Sequence, residues 1–539
     1  MATIARSAAL DEANPGDIRG ALGTISLDDT APRAGLSAKL KTLLAIVGPG
    51  LIVMCGDNDA GAFSTYGQAG QNYGTRLLWT LLLLVPVLYV NQEMVLRLGA
   101  VTGVGHAKLI IERFGRSWAT LMVADLILLN ALTLVTEFIG ITMAAGYLGV
   151  PKVVAVLLAA GVILAAAATG SFRRFERIAV ALCLGSLLLI PLFVVSHPSG
   201  AAMARGFVEP SLPGGSGGMA AVMLLIIGIV GTTVAPWQLF FQQSYVVDKK
   251  ITPRFIRYEK VDLWIGIVIV VIGAAALMGA TAAAFAGTHG AGHFTDAVGL
   301  THGIAAHAGR VAGAVFAVAL LDASIIGAFA VSLSTAYAVG DTLGLKHSLN
   351  RGFRQAKGFY AVYAGLIAVA ATIVLIPRAP LGLIIEGVQA LAGVLLPGAT
   401  VFLLLLCNDR AVLGPWANGR RTNMFTSVVI AVLISLSAVL TASVLFPAIT
   451  SRQILLIIGG CLIAAVAVGG WILVRSLQVR SSVEIDRRDR ENWRMPPLNN
   501  LTRPVMSAGR KVALGILGGY MVIAMVLVMV RIIQMAVAS

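Results

Sequence analysis

The stretch Gly48-Pro49-Gly50-Leu51-Ile52-Val53-Met54-Cys55-Gly56-Asp57-Asn58-Asp59-Ala60-Gly61 sets two carboxylates and an amide among helix-breaking glycines, in the middle of an apolar span over residues 43–69. Backbone groups released by such a break are tolerated at membrane depth only where they line a cavity or are buried in protein. The pattern occurs twice. Gly228-Ile229-Val230-Gly231-Thr232-Thr233-Val234-Ala235-Pro236-Trp237 interrupts a second apolar span over residues 219–245, with Gln238, Gln242 and Gln243 following. One interruption is a kink; two interruptions five spans apart point to an inverted-repeat transporter whose broken helices meet at the midplane.

Composition agrees with a membrane location. The 539 residues are 58% hydrophobic and 12% charged, with a mean hydropathy of +0.88, whereas soluble domains carry roughly twice that charged fraction. Apolar runs between charge clusters predict thirteen spans: 43–69, 76–96, 117–147, 151–170, 178–196, 219–245, 261–287, 309–338, 358–377, 382–407, 425–448, 454–474 and 512–532. With the N-terminus in the cytoplasm, 33 of the 40 Lys and Arg residues fall on that side, as the positive-inside rule expects. The net charge of +15 is thereby a matter of topology and requires no nucleic acid. The expectation is a multi-pass protein of the plasma (cytoplasmic) membrane with no obligate protein partner.

The expected division is a disordered cytoplasmic tail over 1–40, a first repeat of helices 1–5 over 41–200, and a second of helices 6–10 over 201–408. Helices 11 and 12 follow over 409–474, then a basic cytoplasmic linker over 475–511 and a thirteenth helix with the C-terminus over 512–539. The four cysteines, Cys55, Cys183, Cys407 and Cys461, have no CxxC spacing and indicate neither a disulfide framework nor a zinc site. HExxH and P-loop motifs are absent, so the reading is a transporter and not an enzyme, with no cofactor.

Asp57 and Asp59 are each expensive at the bilayer centre, and together they repel. A bound cation compensates both; the alternative is that they cap the broken helix or carry protons. The residues around them resemble the NRAMP family of divalent-metal transporters. Asp59-Ala60-Gly61-Ala62 stands where the family has Asp-Pro-Gly-Asn, and Ala235-Pro236-Trp237 where it has Met-Pro-His. Supporting matches are Glu137-Phe138-Ile139-Gly140, Arg173-Arg174-Phe175-Glu176 and Gln389 ahead of Pro397. The resemblance implies an all-α polytopic fold of the leucine-transporter type, an inverted 5+5 helix repeat with additional C-terminal helices.

Its departures bear on the cargo. Ala235 replaces the family's metal-binding methionine, Trp237 and Gln242 replace two histidines, and Leu134 replaces an aspartate linked to proton release, while Glu137 is kept. Thioether sulfur favours transition metals, whereas carboxylate, carbonyl and water favour magnesium and manganese, and magnesium retains several waters. The expected metal residues are Asp59 as principal ligand, with Asp57, Asn58, Gly56, Thr232, Ala235 and Gln389; Trp237, Gln242 and Glu137 are expected to support or gate the site. The expected function is alternating-access transport of Mg2+, with Mn2+ as second substrate and weak or no proton coupling. Two alternatives stay open: a classical proton-coupled Mn2+/Fe2+ symporter, and a sodium-coupled symporter of small organic solutes on the same fold.

Overall fold

The computed structural model describes residues 16–213, 218–376, 381–446, 449–478, 490–502, 504 and 508–538. After a small antiparallel hairpin, β1 (Ile18–Arg19) and β2 (Thr24–Ile25), the first repeat comprises nine helices. They are α1 (Leu36–Ile46), α2 (Pro49–Cys55), α3 (Ala60–Tyr73), α4 (Trp79–Thr102), α5 (His106–Phe114), α6 (Arg116–Tyr147), α7 (Lys152–Ala167), α8 (Phe172–Cys183) and α9 (Leu189–Ser196). A connecting helix α10 (Gly200–Val208) leads to the second repeat: α11 (Gly218–Thr233), α12 (Pro236–Asp248), α13 (Ile256–Phe285), α14 (Ala297–Ala308), α15 (Arg310–Leu343), α16 (Lys357–Leu375) and α17 (Leu381–Cys407). Then come α18 (Arg410–Leu413), α19 (Arg420–Leu445), α20 (Ser451–Gln478) and α21 (Ala508–Ala538).

Among the described residues nine helices are long and apolar enough to cross a membrane, or ten if α1 and α2, bent by 53°, count as one span. Leu82, Leu83, Leu157 and Leu158 lie exposed on the outside of the bundle, where lipid replaces water as the favourable neighbour.

The packing has the symmetry of an inverted repeat. α2 and α3 lie along α13, and α12 lies along α4; these two pairings exchange when the first and second five spans are interchanged. α6 packs along α15, a pairing that maps onto itself. The fold is therefore the expected all-α polytopic membrane architecture of the leucine-transporter type, with its inverted repeat and additional C-terminal helices.

Both broken spans restart in the same way, with proline at the first helical position: Pro49 in α2 and Pro236 in α12. Proline is favoured there because its missing N–H would have no helical partner and its φ is already helical. The first span is broken twice, at Val47-Gly48 and again at residues 56–59, so the expected single segment 43–69 is three helices.

Two further expectations are corrected. Residues 16–34, read as part of a disordered tail, are folded: Ile18, Ala21 and Ile25 are buried. Within 475–511, read as a linker, residues 490–502 dock on the bundle, with Met495 and Leu498 buried. Arg113 of α5 donates to the Thr502 carbonyl (2.6 Å) and Trp416 to that of Arg490 (2.7 Å). Sequence pattern hid both segments, because each is short and anchored by backbone hydrogen bonds. Residues 1–15 and 479–489 lie outside the described residues.

Candidate metal site

At the second break of the first span the chain leaves α2 in two tight turns, Asp57 N to Met54 O (3.2 Å) and Asn58 N to Cys55 O (3.3 Å). It re-enters helix at Asp59, which is extended and caps α3: its Oδ1 accepts from Ala62 N at 2.8 Å. A carboxylate suits that place because a helix N-terminus leaves N–H groups unpaired and carries partial positive charge. Among the described residues no backbone N–H reaches the carbonyls of Gly56, Asp57 or Asn58, so they remain available as oxygen donors.

Asp59 meets two other expected site residues, Gln389 and Glu137. Gly61 is flanked by Asp59 Oδ1 and the amide of Gln389, and any side chain there would collide with Gln389. Glu137 of α6 accepts from Ala60 N (3.2 Å) and faces the Asp59 side chain across Gly327 of α15. Gly231 in α11 lies directly on the Gln389 carbonyl, locking α17 to the sixth span.

Asp57 is held differently. Its Oδ1 accepts from Gln238 of α12, whose own Oε1 accepts from Gln92 of α4 (2.8 Å). Its Oδ2 is buried with no partner among the described residues, as are Thr232 Oγ1 and both amide atoms of Gln242. Buried polar atoms without partners cost about 1–3 kcal/mol each, so Asp57 Oδ2 and Thr232 Oγ1, one from each broken span, are suited to receive water or an ion.

The expected residues divide into those brought together and those set apart. Asp59, Gln389 and Glu137 converge, and Ala235 forms the extended joint of the sixth span, 5% exposed. Asn58 is directed away, its amide lying over Gly273 of α13. Trp237 and Ala330 both pack against Gly56, and Trp237 begins an aromatic column through Phe241 and Tyr245 (centroids 6.2 and 5.0 Å apart). Among the described residues no three His, Cys, Asp or Glu side chains are placed to hold one metal ion. Any cation here must rely on two carboxylates together with amide, hydroxyl, carbonyl and water oxygen.

Sequence reasoning passed over Gln92, although an amide inside an apolar span signals an internal role. It also counted Lys249 as a loop charge. In the structure Lys249 is wholly buried and donates to Ile46 O (2.6 Å), Val47 O (2.9 Å) and Glu176 Oε1 (2.6 Å). Asp262 complements it by accepting from Gly48, Gly50 and Leu51 N–H (3.2, 2.7 and 3.2 Å). The first break of span one thus has a cation on the carbonyl end of α1 and an anion on the amide end of α2, which is the arrangement the helix dipoles favour.

Residues 50–443 match the sequence profile of a family described as Natural resistance-associated macrophage protein-like. A curated relative, Divalent metal cation transporter MntH of Pectobacterium carotovorum, is 31% identical over 258 residues, 46% of this chain and 60% of the relative. The protein of the same name from Ralstonia nicotianae is 29% identical over 411 residues, 73% of this chain and 89% of the relative. Among solved structures, the Eremococcus coleocola manganese transporter in complex with an aromatic bis-isothiourea substituted compound superposes with a TM-score of 0.63 at 20% identity, covering 84% of this chain and 99% of that one. MhsT in complex with L-phenylalanine superposes with a TM-score of 0.52 at 13% identity, covering 74% and 98%. At such identities these two likenesses speak for the fold.

Proposed function

We propose, from the premise that this chain belongs to the Natural resistance-associated macrophage protein-like family, that it carries divalent metal cations across a membrane by alternating access. The observation that carries the reading is the juxtaposition at the two helix breaks. Asp59 stands beside Gln389 at the first span's second break, and Asp57 Oδ2 and Thr232 Oγ1, one from each broken span, are buried oxygens without partners among the described residues. A second cargo class, an organic solute with a carboxylate, fits poorly, since two carboxylates would repel it.

Mn2+ is the ion that these names bring forward, since the curated relatives are named divalent metal cation transporters and the fold neighbour a manganese transporter. The magnesium preference expected from the sequence gains no support from those names. One observation keeps Mg2+ as a second reading: the joint of the sixth span presents Ala235, so the side chain there offers no sulfur. An all-oxygen site accepts both ions, since manganese is at home with carboxylate and water.

Uptake into proteoliposomes separates the two. Saturable Mn2+ uptake that Mg2+ displaces only in large excess supports manganese as cargo. Comparable competition by Mg2+ and Mn2+ supports the oxygen-only reading, and absence of any divalent uptake would overturn the proposal. Proton coupling is expected to be weak, because Trp237, Gln242 and Leu134 cannot titrate and leave Glu137 as the remnant. Strong metal-driven acidification in the same vesicles would contradict this.

A further inference from the structure

We propose that residues 16–34 form an intramolecular latch that bolts the hinge of the first span, and that undocking it is a step of the transport cycle; the proposal rests on the transport reading above.

The loop of the hairpin, Gly20-Ala21-Leu22-Gly23, is wedged into the cluster that holds the Val47-Gly48 break. Ala21 N donates to Glu176 Oε2 (2.6 Å), and Ala21 O accepts from Arg177 Nε (3.0 Å). Glu176 is the same carboxylate that pairs with Lys249, and Lys249 holds the last carbonyls of α1. The hairpin therefore joins α8, the end of α12 and the end of α1 through one buried network. Gly20 and Gly23 allow the approach: a Cβ on Gly23 would stand 2.9 Å from the Ala45 Cβ and 3.1 Å from its Cα, and one on Gly20 would meet the Ala45 carbonyl.

The strap beyond the hairpin is fastened as well. Arg254 donates to the carbonyls of Asp29 and Ala31, and Arg33 pairs with Asp29 (2.8 Å) while lying over the Phe255 ring. These contacts sit on the N-terminal side of the site. There the path inward from Trp237 is closed by Phe241 and Tyr245, each at most 1% exposed. Opening that side requires α2 to move relative to α12 and α13. While the hairpin is docked, the α1 flank of its hinge is tied through Lys249 to Glu176 of α8, and the α2 flank is held by Asp262 of α13.

The test uses Gly23→Cys with Ala45→Cys in a full-length protein whose four native cysteines are replaced. Cβ atoms in disulfides lie about 3.5–4.5 Å apart, so the docked pair needs to relax by roughly an ångström to cross-link. The expected result is a disulfide seen by mass on oxidation, with Mn2+ uptake at least tenfold slower than in the same vesicles after reductant. Failure to cross-link would overturn the docked geometry, and a complete cross-link with undiminished uptake would overturn the latch.

If the reduced protein and its parent carry no divalent ion, the transport reading fails, and the latch is judged by labelling instead. Gly23→Val, with Cys55 as the sole cysteine, should then raise maleimide labelling of the buried Cys55 severalfold. Unchanged labelling would refute the latch.

Discussion

Asp57 and Asp59 stand two residues apart, yet the structure gives them different duties. Asp59 terminates α3 and shares its surroundings with Glu137, whereas Asp57 is oriented by Gln238 and keeps one oxygen unpaired. A charge-assisted contact is worth about 1.5–3 kcal/mol, which corresponds to tenfold or more in an equilibrium. Asp57→Asn should therefore weaken metal binding at least about tenfold with little change in melting temperature. Asp59→Asn should weaken binding similarly and also lower the melting temperature, since asparagine caps but carries no charge for the helix terminus. Calorimetric titration and thermal scans of the two purified variants separate these effects; equal melting behaviour would remove the distinction. Ala235→Met should shift competition toward Cd2+ and away from Mg2+, because it adds a soft ligand and fills the joint. An unaltered competition series would show that side chain 235 does not face the ion.

At the scale of elements, the first span is held by charges that sequence pattern assigned elsewhere. Lys249 and Glu176 are both fully buried, 2.6 Å apart. Removing one partner of such a pair leaves an uncompensated charge and costs about 3–5 kcal/mol, whereas replacing both is far milder. Lys249→Met alone should accordingly lower the melting temperature sharply, and Lys249→Met with Glu176→Gln should recover much of it. A double variant no better than the single would mean that capping of α1, and not charge compensation, is what Lys249 supplies. A second element is tied by a histidine. Burial alone would push His347 down, but its hydrogen bond and attraction to Asp341 outweigh this and hold it above its ordinary value. Its two ring nitrogens face Asp341 Oδ1 (3.1 Å) and the Leu345 carbonyl (2.6 Å), so the imidazolium donates to both. A raised folded-state value means this stabilisation is complete below about pH 6.5, the unfolded value, and fades as pH rises through the higher folded value. Melting temperature should fall between pH 6 and 9 in the wild type, and His347→Gln should flatten that slope.

For the molecule as a whole, the 33-to-7 split of basic residues argues that the hairpin, the loop after α12 and residues 490–502 share the cytoplasmic face. The connection between α13 and α14 then lies outside. A single cysteine placed at Gly292 should react with an impermeant maleimide from the extracellular side of intact cells. Reaction only after permeabilisation would invert the topology. The proposed seat of the ion, among α3, α6, α11 and α17, draws on both repeats.

While Gln389 was reached only through the family resemblance, hydropathy, charge alternation and two interrupted spans determined the class and the repeat and pointed to the breaks. They could do so because each is a local property of the chain: a membrane segment must be apolar, and a break must be glycine- or proline-marked. What only the tertiary structure decided was which polar groups meet. Asn58 lies beside Asp57 in sequence but is turned to α13, while Gln92, Gln238 and Asp57, from three helices, form one chain of hydrogen bonds. Lys249 sits at the end of a span and reads as an ordinary topogenic charge, yet it is buried beneath the N-terminal hairpin. Pairings between residues 70 to 200 positions apart leave no periodicity in the sequence, so their energies arise only once the helices are packed.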